Sequence, residues 1–214
     1  MKTISYALGF LALAGCLSAD EITGGTVTGG SAMTAGGTFV LLNTPLDNPF
    51  GPPDSVDKNN FQSPDLFAFD ESTTTLLSNL IVNIGASPIA AGTEISSEYV
   101  FFDPGPTQHL TGTVTFGTDV LGVITSTKDL AASDFLGAPG VNYLDPANRG
   151  LEAGDSVTIS APNQITVDFT ASSPGDYIRV ITAGPAPAVP EPGTLGFVAS
   201  GMIGLVLLRR RQRA

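Results

Sequence analysis

The chain has 214 residues, 20 of them acidic and 9 basic, and its formal net charge at neutral pH is −11. Its central part, residues 20–188, holds 19 acidic and 4 basic residues, a net charge of −15. Because a phosphate backbone would repel such a surface, the composition disfavours nucleic-acid binding. With one histidine and with Cys16 as the single cysteine, the chain lacks the usual ligands of a transition metal, and we expect no cofactor.

The N-terminal segment predicts export. Lys2 precedes an apolar run over residues 4–14, which has the length of a secretory signal core and is too short to cross a membrane. Two processing sites fit its end. A signal peptidase would cut after Ala19 and make residues 1–19 the signal peptide, whereas residues 13–16 resemble a bacterial lipobox, in which Cys16 becomes lipidated. We favour the cut after Ala19, because a lipid anchor would duplicate the C-terminal tail described below.

The segment between the two terminal regions predicts an all-β fold. Residues 20–38 are rich in Gly and Thr and are predicted to be a flexible or weakly strand-forming lead-in, and residues 39–182 are predicted to be the folded domain. Alternation of apolar and polar residues indicates half-buried strands, and runs that are apolar on both faces indicate covered strands. The alternating segments are residues 80–84, 110–116, 157–159 and 165–170, the apolar runs are 99–102 and 121–124, and residues 177–181 supply a last strand.

The spacing of these strands, with Gly and Pro between them, predicts an antiparallel β-sandwich or a jelly-roll-like domain. Helix is predicted to be sparse. A short helix over residues 128–136 has Thr127 as its N-cap. We expect Leu130, Phe135 and Leu136 to pack inward from it.

The sequence predicts no catalytic residues. His109 is the only histidine and lies in a Pro- and Gly-rich loop near Asp103, but no nucleophile elbow of the form Gly-x-Ser-x-Gly occurs, so we interpret His109 as a loop residue. Asp54 and Asp57 are weak calcium candidates, because calcium needs only oxygen ligands, although their spacing does not fit an EF-hand. The expected metal content is therefore none.

A second acidic group surrounds two phenylalanines. Asp65, Asp70 and Glu71 bracket Phe67 and Phe69, an arrangement that could line a carbohydrate site. We interpret the two phenylalanines as core residues instead, because the chain has no tryptophan and phenylalanine is usually buried.

The C-terminal region predicts a membrane segment. Residues 183–188, rich in Pro and Ala, are predicted to be a stiff spacer. Residues 195–208 form an apolar run of 14 residues, which makes about 21 Å of helix against a bilayer core of roughly 30 Å. This short transmembrane helix is followed by a basic cluster that would orient its end toward the cytoplasm. The cluster consists of Arg209, Arg210, Arg211 and Arg213.

The order of Pro190-Glu191-Pro192, apolar helix and arginine cluster resembles the PEP-CTERM sorting signal of Gram-negative bacteria, here over residues 189–214. The resemblance implies that a membrane-embedded exosortase reads the tripeptide and removes the tail, after the export translocase and signal peptidase have acted. It also implies transient passage through the inner membrane and a final location at the cell surface or in the extracellular matrix.

The resemblance names a route rather than an activity, and three functions remain open. The first is a non-enzymatic surface or matrix protein associated with exopolysaccharide or biofilm. The second is a carbohydrate- or calcium-binding module of the same matrix, and the third is a hydrolase of matrix polymers that would use His109. We expect the first, because it explains both termini without requiring catalytic residues.

Overall fold

The computed structural model describes residues 22–44 and 46–184. Within them the chain forms twelve β-strands, two short α-helices and one 3-10 helix. The strands are β1 (Ile22–Gly29), β2 (Phe39–Leu41), β3 (Ser55–Val56), β4 (Leu66–Thr75), β5 (Ile84–Gly85), β6 (Glu94–Phe102), β7 (Gln108–Phe116), β8 (Val120–Ile124), β9 (Asn142–Tyr143), β10 (Ser156–Ala161), β11 (Gln164–Ala171) and β12 (Asp176–Ala183). The helices are α1 (Gly30–Thr34), α2 (Thr127–Ala132) and the 3-10 turn Asp134–Leu136.

Two sheets form the framework of the described domain. The four-stranded sheet has the order β1-β7-β11-β10, and the six-stranded sheet has the order β2-β4-β6-β12-β8-β5. Their strand pairs are antiparallel except for β2 with β4, and the small β3-β9 pair outside them is also parallel. The prediction of an all-β fold is confirmed, whereas a jelly-roll connectivity stays a prediction.

The main core lies between the two sheets. Val114 of β7 and Val167 of β11 are buried there, and they share one cluster with Val100 of β6 and Val180 of β12. The residues that alternate with them on β7 and β11 point to the opposite face, which is lined largely by threonines and only half buried. The period-two pattern therefore predicted these two strands and their buried face correctly.

A second core covers the other face of the six-stranded sheet, and this face is called the outer face below. Phe67 and Phe101 stack there with ring centroids 5.1 Å apart, and Phe101 stacks on Tyr177 at 5.6 Å. Because this face is covered as well, β6 and β12 are buried on both sides along most of their length. The covering residues include Leu46, Val56, Phe61, Leu130 and Leu136.

The N-terminal Gly- and Thr-rich segment is part of the four-stranded sheet, so it follows the strand-forming alternative rather than the flexible one. Its residues 22–29 form β1, which pairs along β7. Gly25 is required at its position because a Cβ there would lie 2.4 Å from Cδ2 of Phe39, which packs against the main core. The glycines that suggested a linker thus leave room for an aromatic ring.

The predicted helix over residues 128–136 is shorter and broken. α2 ends at Ala132, and Ser126 rather than Thr127 caps it, its hydroxyl accepting the backbone N–H of Asp129 at 3.2 Å. Leu130 and Leu136 are buried as predicted, but Phe135 is 66% exposed. The 3-10 turn that follows α2 rotates Phe135 away from the core.

The structure also differs from the sequence-based prediction at two strands. Residues 80–84 were predicted to form a strand, yet only a single bridge between Leu80 and Ile89 and the short β5 occur there. The ten-residue β4, by contrast, was not predicted from its sequence. Its sequence shows no regular alternation, because its first four residues are buried on both faces and the strand bulges between Asp70 and Ser72.

Several predictions fall on residues outside the described ranges. They concern the signal peptide over residues 1–19 with Cys16, the end of the spacer at residues 185–188, and the sorting segment over residues 189–214 with its transmembrane helix and arginines. Among residues 22–44 and 46–184, no helix is long and apolar enough to cross a membrane.

Candidate functional site

Loops cover the outer face of the six-stranded sheet and create the most polar region of the domain interior. We call residues 46–63 and 125–151 the loop layer. A buried ion network fastens this layer to the sheet, and a surface cleft opens on its solvent side.

Arg179 of β12 is the centre of the network. Its Nε and Nη2 atoms donate to the Oε2 and Oε1 atoms of Glu71 on β4 at 2.6 and 2.8 Å, and neither side chain has exposed surface. Ser97 of β6, between these strands, donates to Glu71 Oε2 at 2.5 Å, and the hydroxyl of Tyr143 donates to Oε1. The carboxylate therefore has partners on both oxygens.

The same arginine holds the end of α2. Its Nη1 atom donates to the carbonyl of Leu130 at 3.2 Å and to the hydroxyl of Ser133 at 2.6 Å. Its guanidinium carbon lies 5.3 Å from the ring centroid of Tyr99. Burial alone would lower the pKa of Arg179, but the charge and hydrogen bonds of Glu71 outweigh it and raise that pKa above its ordinary value. Arg179 therefore stays charged.

A second arginine, Arg149, joins separate segments of the loop layer to one another. Its Nη1 atom donates to Oδ2 of Asp57 at 3.0 Å, and its Nη2 atom donates to Asp134. The other Asp57 oxygen accepts the hydroxyl of Tyr99 at 2.8 Å. Burial raises the pKa of Asp57 to about 7, against the opposing effects of Arg149 and Tyr99.

The network has no route to a ligand. The Arg179–Glu71 and Arg149–Asp57 pairs are both without exposed side-chain surface, and Asp134 alone among the charged members reaches solvent. The first pair joins two strands of the sheet, and the second joins two segments of the loop layer. The layer is linked to the sheet by the hydrogen bonds of Arg179 to Leu130 and Ser133 and of Tyr99 to Asp57. The arrangement therefore fixes the loop layer in place rather than presenting charges to a substrate.

The cleft lies on the solvent side of this fastened layer. It has a volume of about 610 Å³. Its lining residues are Phe50, Gly51, Pro52, Lys58, Asn59, Asn60, Gln62, Leu144 and Asp145. Phe50 is 61% exposed, so its ring is accessible at the cleft.

The backbone around the cleft is unusual in the same place. The described residues contain five non-glycine residues with positive φ, and three of them, Asn59 (48°), Gln62 (47°) and Asp145 (44°), line the cleft. The other two, Asp54 and Asp57, lie in the same loop. Such conformations persist only where surrounding contacts hold them, and they concentrate at functional sites.

His109 has a different environment from the predicted one. It lies within β7 rather than in a loop, and its Nε2 atom is 2.7 Å from Oδ1 of Asp168 on β11. The two side chains are 44% and 50% exposed. Asp103, expected near His109, is buried and accepts the backbone N–H of Phe61 at 3.0 Å. Asp103 and His109 therefore do not form the Asp–His pair of a Ser-His-Asp triad.

The two weak calcium candidates do not converge. Asp57 is buried with both oxygens engaged by Arg149 and Tyr99, while Asp54 lines a separate hollow beside Pro139. Across residues 22–44 and 46–184, no group of three His, Cys, Asp or Glu side chains is placed to hold a metal ion. The geometry therefore gives no support to a calcium site at these aspartates.

The acidic group around Phe67 and Phe69 is also dispersed. Asp65 accepts the backbone N–H of Thr38 at 2.7 Å, Asp70 accepts that of Ile22 at 3.1 Å, and Glu71 belongs to the ion network. Phe67 and Phe69 are buried, in agreement with their interpretation as core residues. A carbohydrate site at this position is excluded by burial.

Sequence reasoning missed Arg149, Arg179 and Phe50. The sequence did contain an indication for Arg179, because it is the one charged residue in the otherwise apolar run of residues 177–181. A charged residue in a strand that is buried on both faces needs a buried partner. Arg149 and Phe50 lie in loops without periodicity, and only the fold shows that the first is buried and the second exposed.

Comparison with known proteins gives one match. Residues 188–211 match the family model described as the PEP-CTERM protein-sorting motif. The resemblance noted for Pro190, Glu191 and Pro192 is thereby confirmed. No curated protein and no solved structure matches the chain.

Proposed function

We propose that this chain, which carries a PEP-CTERM sorting motif, is a non-enzymatic protein of the bacterial cell surface or extracellular matrix. The motif implies export and processing by an exosortase, a membrane protein. This match is the observation that carries the proposal. The location beyond the membrane, the absence of catalysis and the association with polysaccharide are parts of the proposal itself.

The properties of the domain support a role outside the cell. Residues 20–188 carry a net charge of −15, and two of their four basic side chains, Arg149 and Arg179, are buried in ion pairs. Acidic side chains are buried with them, including Asp57 and Glu71, so the charge that remains on the surface is still predominantly acidic, which favours solubility in a hydrated matrix. The domain is held by two apolar cores and buried ion pairs, without a cysteine in residues 20–188.

Replacement of the sorting tripeptide tests the proposal. The triple variant Pro190→Ala/Glu191→Ala/Pro192→Ala should keep its tail and accumulate in the inner-membrane fraction, whereas the wild type should be found in the surface and matrix fractions. The variant Pro185→Ala/Pro187→Ala, changed only in the spacer, is the matched control and should be sorted like the wild type. Equal distribution of the triple variant and the wild type would contradict the proposal.

Carbohydrate binding is the second candidate function, because the cleft beside Phe50 has the lining that such a ligand requires. It is compatible with a matrix location, since an exported protein that binds a polymer is retained by it.

A further inference from the structure

We propose that the cleft formed by residues 50–52, 58–62 and 144–145 binds an oligosaccharide of the extracellular matrix. The inference deepens the proposed function and rests on it for the source of the ligand. Its structural basis is the combination of an exposed aromatic ring, uncharged amide side chains and a rigid backbone in one cleft.

Phe50 supplies the apolar part of the site. Its ring is 61% exposed, and its backbone N–H donates to the carbonyl of Asn60 at 3.1 Å, which fixes the residue at the cleft. A sugar ring presents C–H groups on one face and hydroxyls around its edge. An exposed aromatic ring matches the C–H face by dispersion and burial of apolar area.

The polar lining matches the hydroxyl edge. Lys58 offers donors, Gln62 offers an amide whose Nε2 also donates to the carbonyl of Asn59 at 3.3 Å, and the carboxylate of Asp145 also accepts the amide of Asn148. Oδ1 of Asn59 is buried and accepts no hydrogen bond from any residue in the described ranges, while its Nδ2 atom donates to Ser173. A hydroxyl group, which donates and accepts, can satisfy such mixed partners.

The charges of the cleft select the class of ligand. Lys58 and Asp145 carry opposite charges, so the lining has no net charge to attract a phosphate or another strong anion. A purely apolar ligand would displace water from the polar groups of Lys58, Gln62 and Asp145 without replacing the hydrogen bonds of that water. A neutral, polyhydroxylated chain satisfies both conditions.

The cleft is built to keep its shape. A Cβ at Gly51 would lie 2.3 Å from Oδ1 of Asn60, so the two segments of the rim are in close contact. Asn60 is buried and its Nδ2 atom donates to the hydroxyl of Ser55 at 2.9 Å. The backbone of Asn59 and Gln62 is held at positive φ by this packing. A rigid site loses little conformational entropy on binding.

Saturation-transfer NMR tests the assignment with the full-length chain, purified in a detergent that has no sugar headgroup. The probes are tetrasaccharides of cellulose, chitin, dextran and alginate. At least one neutral tetrasaccharide should receive saturation from the protein, most strongly at its ring C–H protons. Phe50→Ala should weaken its binding by roughly tenfold.

Phe135→Ala is the matched control, since Phe135 is 66% exposed and lies away from the cleft. This variant should bind like the wild type, and circular dichroism should show the same β content for both variants. Absence of transfer to the three neutral sugars, whether or not alginate receives it, would overturn the assignment, as would unchanged binding by Phe50→Ala or equal loss in the two variants. Phe50→Ala should be sorted like the wild type. Loss of sugar binding is therefore detected by NMR, and loss of sorting is detected independently by cell fractionation.

Discussion

Arg179 and Glu71 form a buried two-point ion pair across three strands of the six-stranded sheet. Arg179 lies on β12 and Glu71 on β4, with β6 between them, and the two donor–acceptor distances are 2.6 and 2.8 Å. The bulge at Asp70 and Ser72 leaves Glu71 outside the ladder. The pair therefore joins strands that share no backbone hydrogen bonds and supports the loop layer above them.

Removing the charge of Glu71 should destabilise the domain. Glu71→Gln leaves Arg179 buried without its main counter-ion, and Asp134 at 3.5 Å is the remaining carboxylate. We expect a loss of about 3 kcal/mol in the free energy of unfolding, measured by urea denaturation. Glu94→Gln, an equivalent change at an exposed residue of β6, should alter it by less than about 0.5 kcal/mol.

The double variant Glu71→Leu/Arg179→Met compares the loss of the whole ion pair with the loss of one of its charges. Because it removes both charges together, it should cost less than Glu71→Gln alone. If the double variant unfolds at a lower urea concentration than Glu71→Gln, packing rather than charge compensation dominates the stability at this position.

Asp176 should make the domain less stable as the pH rises. It is buried, its Oδ2 atom has no hydrogen-bond partner among the described residues, and burial, followed by the charges of Asp155 and Glu152, raises its pKa to about 8. The ordinary value is 3.8, so the folded state holds the proton more tightly than the unfolded state. Its contribution to stability is complete below the ordinary value and is lost as the pH rises through about 8.

Asp176→Asn checks this dependence, because the amide stays uncharged at every pH. The melting temperature of the variant should exceed that of the wild type at about pH 9, with a much smaller difference at about pH 5. Asp119→Asn changes an exposed residue and should follow the wild type at both values. A difference for Asp176→Asn that does not grow with pH would refute the assignment of a raised pKa.

A methyl group at Gly25 should disturb the packing between β1 and Phe39. The added Cβ would lie 2.4 Å from the ring, so Gly25→Ala should lower the free energy of unfolding by about 1–3 kcal/mol. Gly24→Ala is the control, since a Cβ at this adjacent position meets no atom within 4 Å. Equal stability of the two variants would indicate that residues 22–29 do not pack against Phe39 and form a flexible segment.

Deletion of residues 189–214 should change the location of the protein and leave its fold intact. The last described contact of the domain is the hydrogen bond from the backbone N–H of Gly184 to the carbonyl of Glu94, at 3.0 Å. The truncated protein should therefore keep the β-type circular dichroism spectrum and the urea midpoint of the wild type. Loss of the β spectrum would place the domain boundary beyond residue 188.

The strands whose side chains alternate strictly were predictable, and the loop layer was not. Residues 110–116 and 165–170 carry a period-two pattern because one face meets the main core and the other meets solvent. The apolar runs of β6 and β12 indicated cover on both faces, but nothing in the sequence identified what covers them. That cover consists of loops held by Arg149 and Arg179, and contacts between residues distant in sequence leave no periodic signal.

The candidate cleft was less predictable than the fold. Phe50 and Gln62 are separated by a Pro-rich loop, and Asp145 comes from a segment far along the chain. Their convergence depends on the parallel pairing of β3 with β9, which aligns Val56 with Tyr143. The sorting motif, by contrast, is contiguous, so Pro190, Glu191 and Pro192 could be recognised from the sequence alone.

The intact mass of the protein recovered from the cell envelope and extracellular matrix tests most directly whether an exosortase sorts and cuts this chain. We predict a species that begins at Asp20 and ends between Pro190 and Pro192. A species that begins at lipidated Cys16 would show lipobox processing and leave the C-terminal prediction intact. A mass that still includes residues 195–214 would contradict the central claim and indicate a protein that keeps its C-terminal segment.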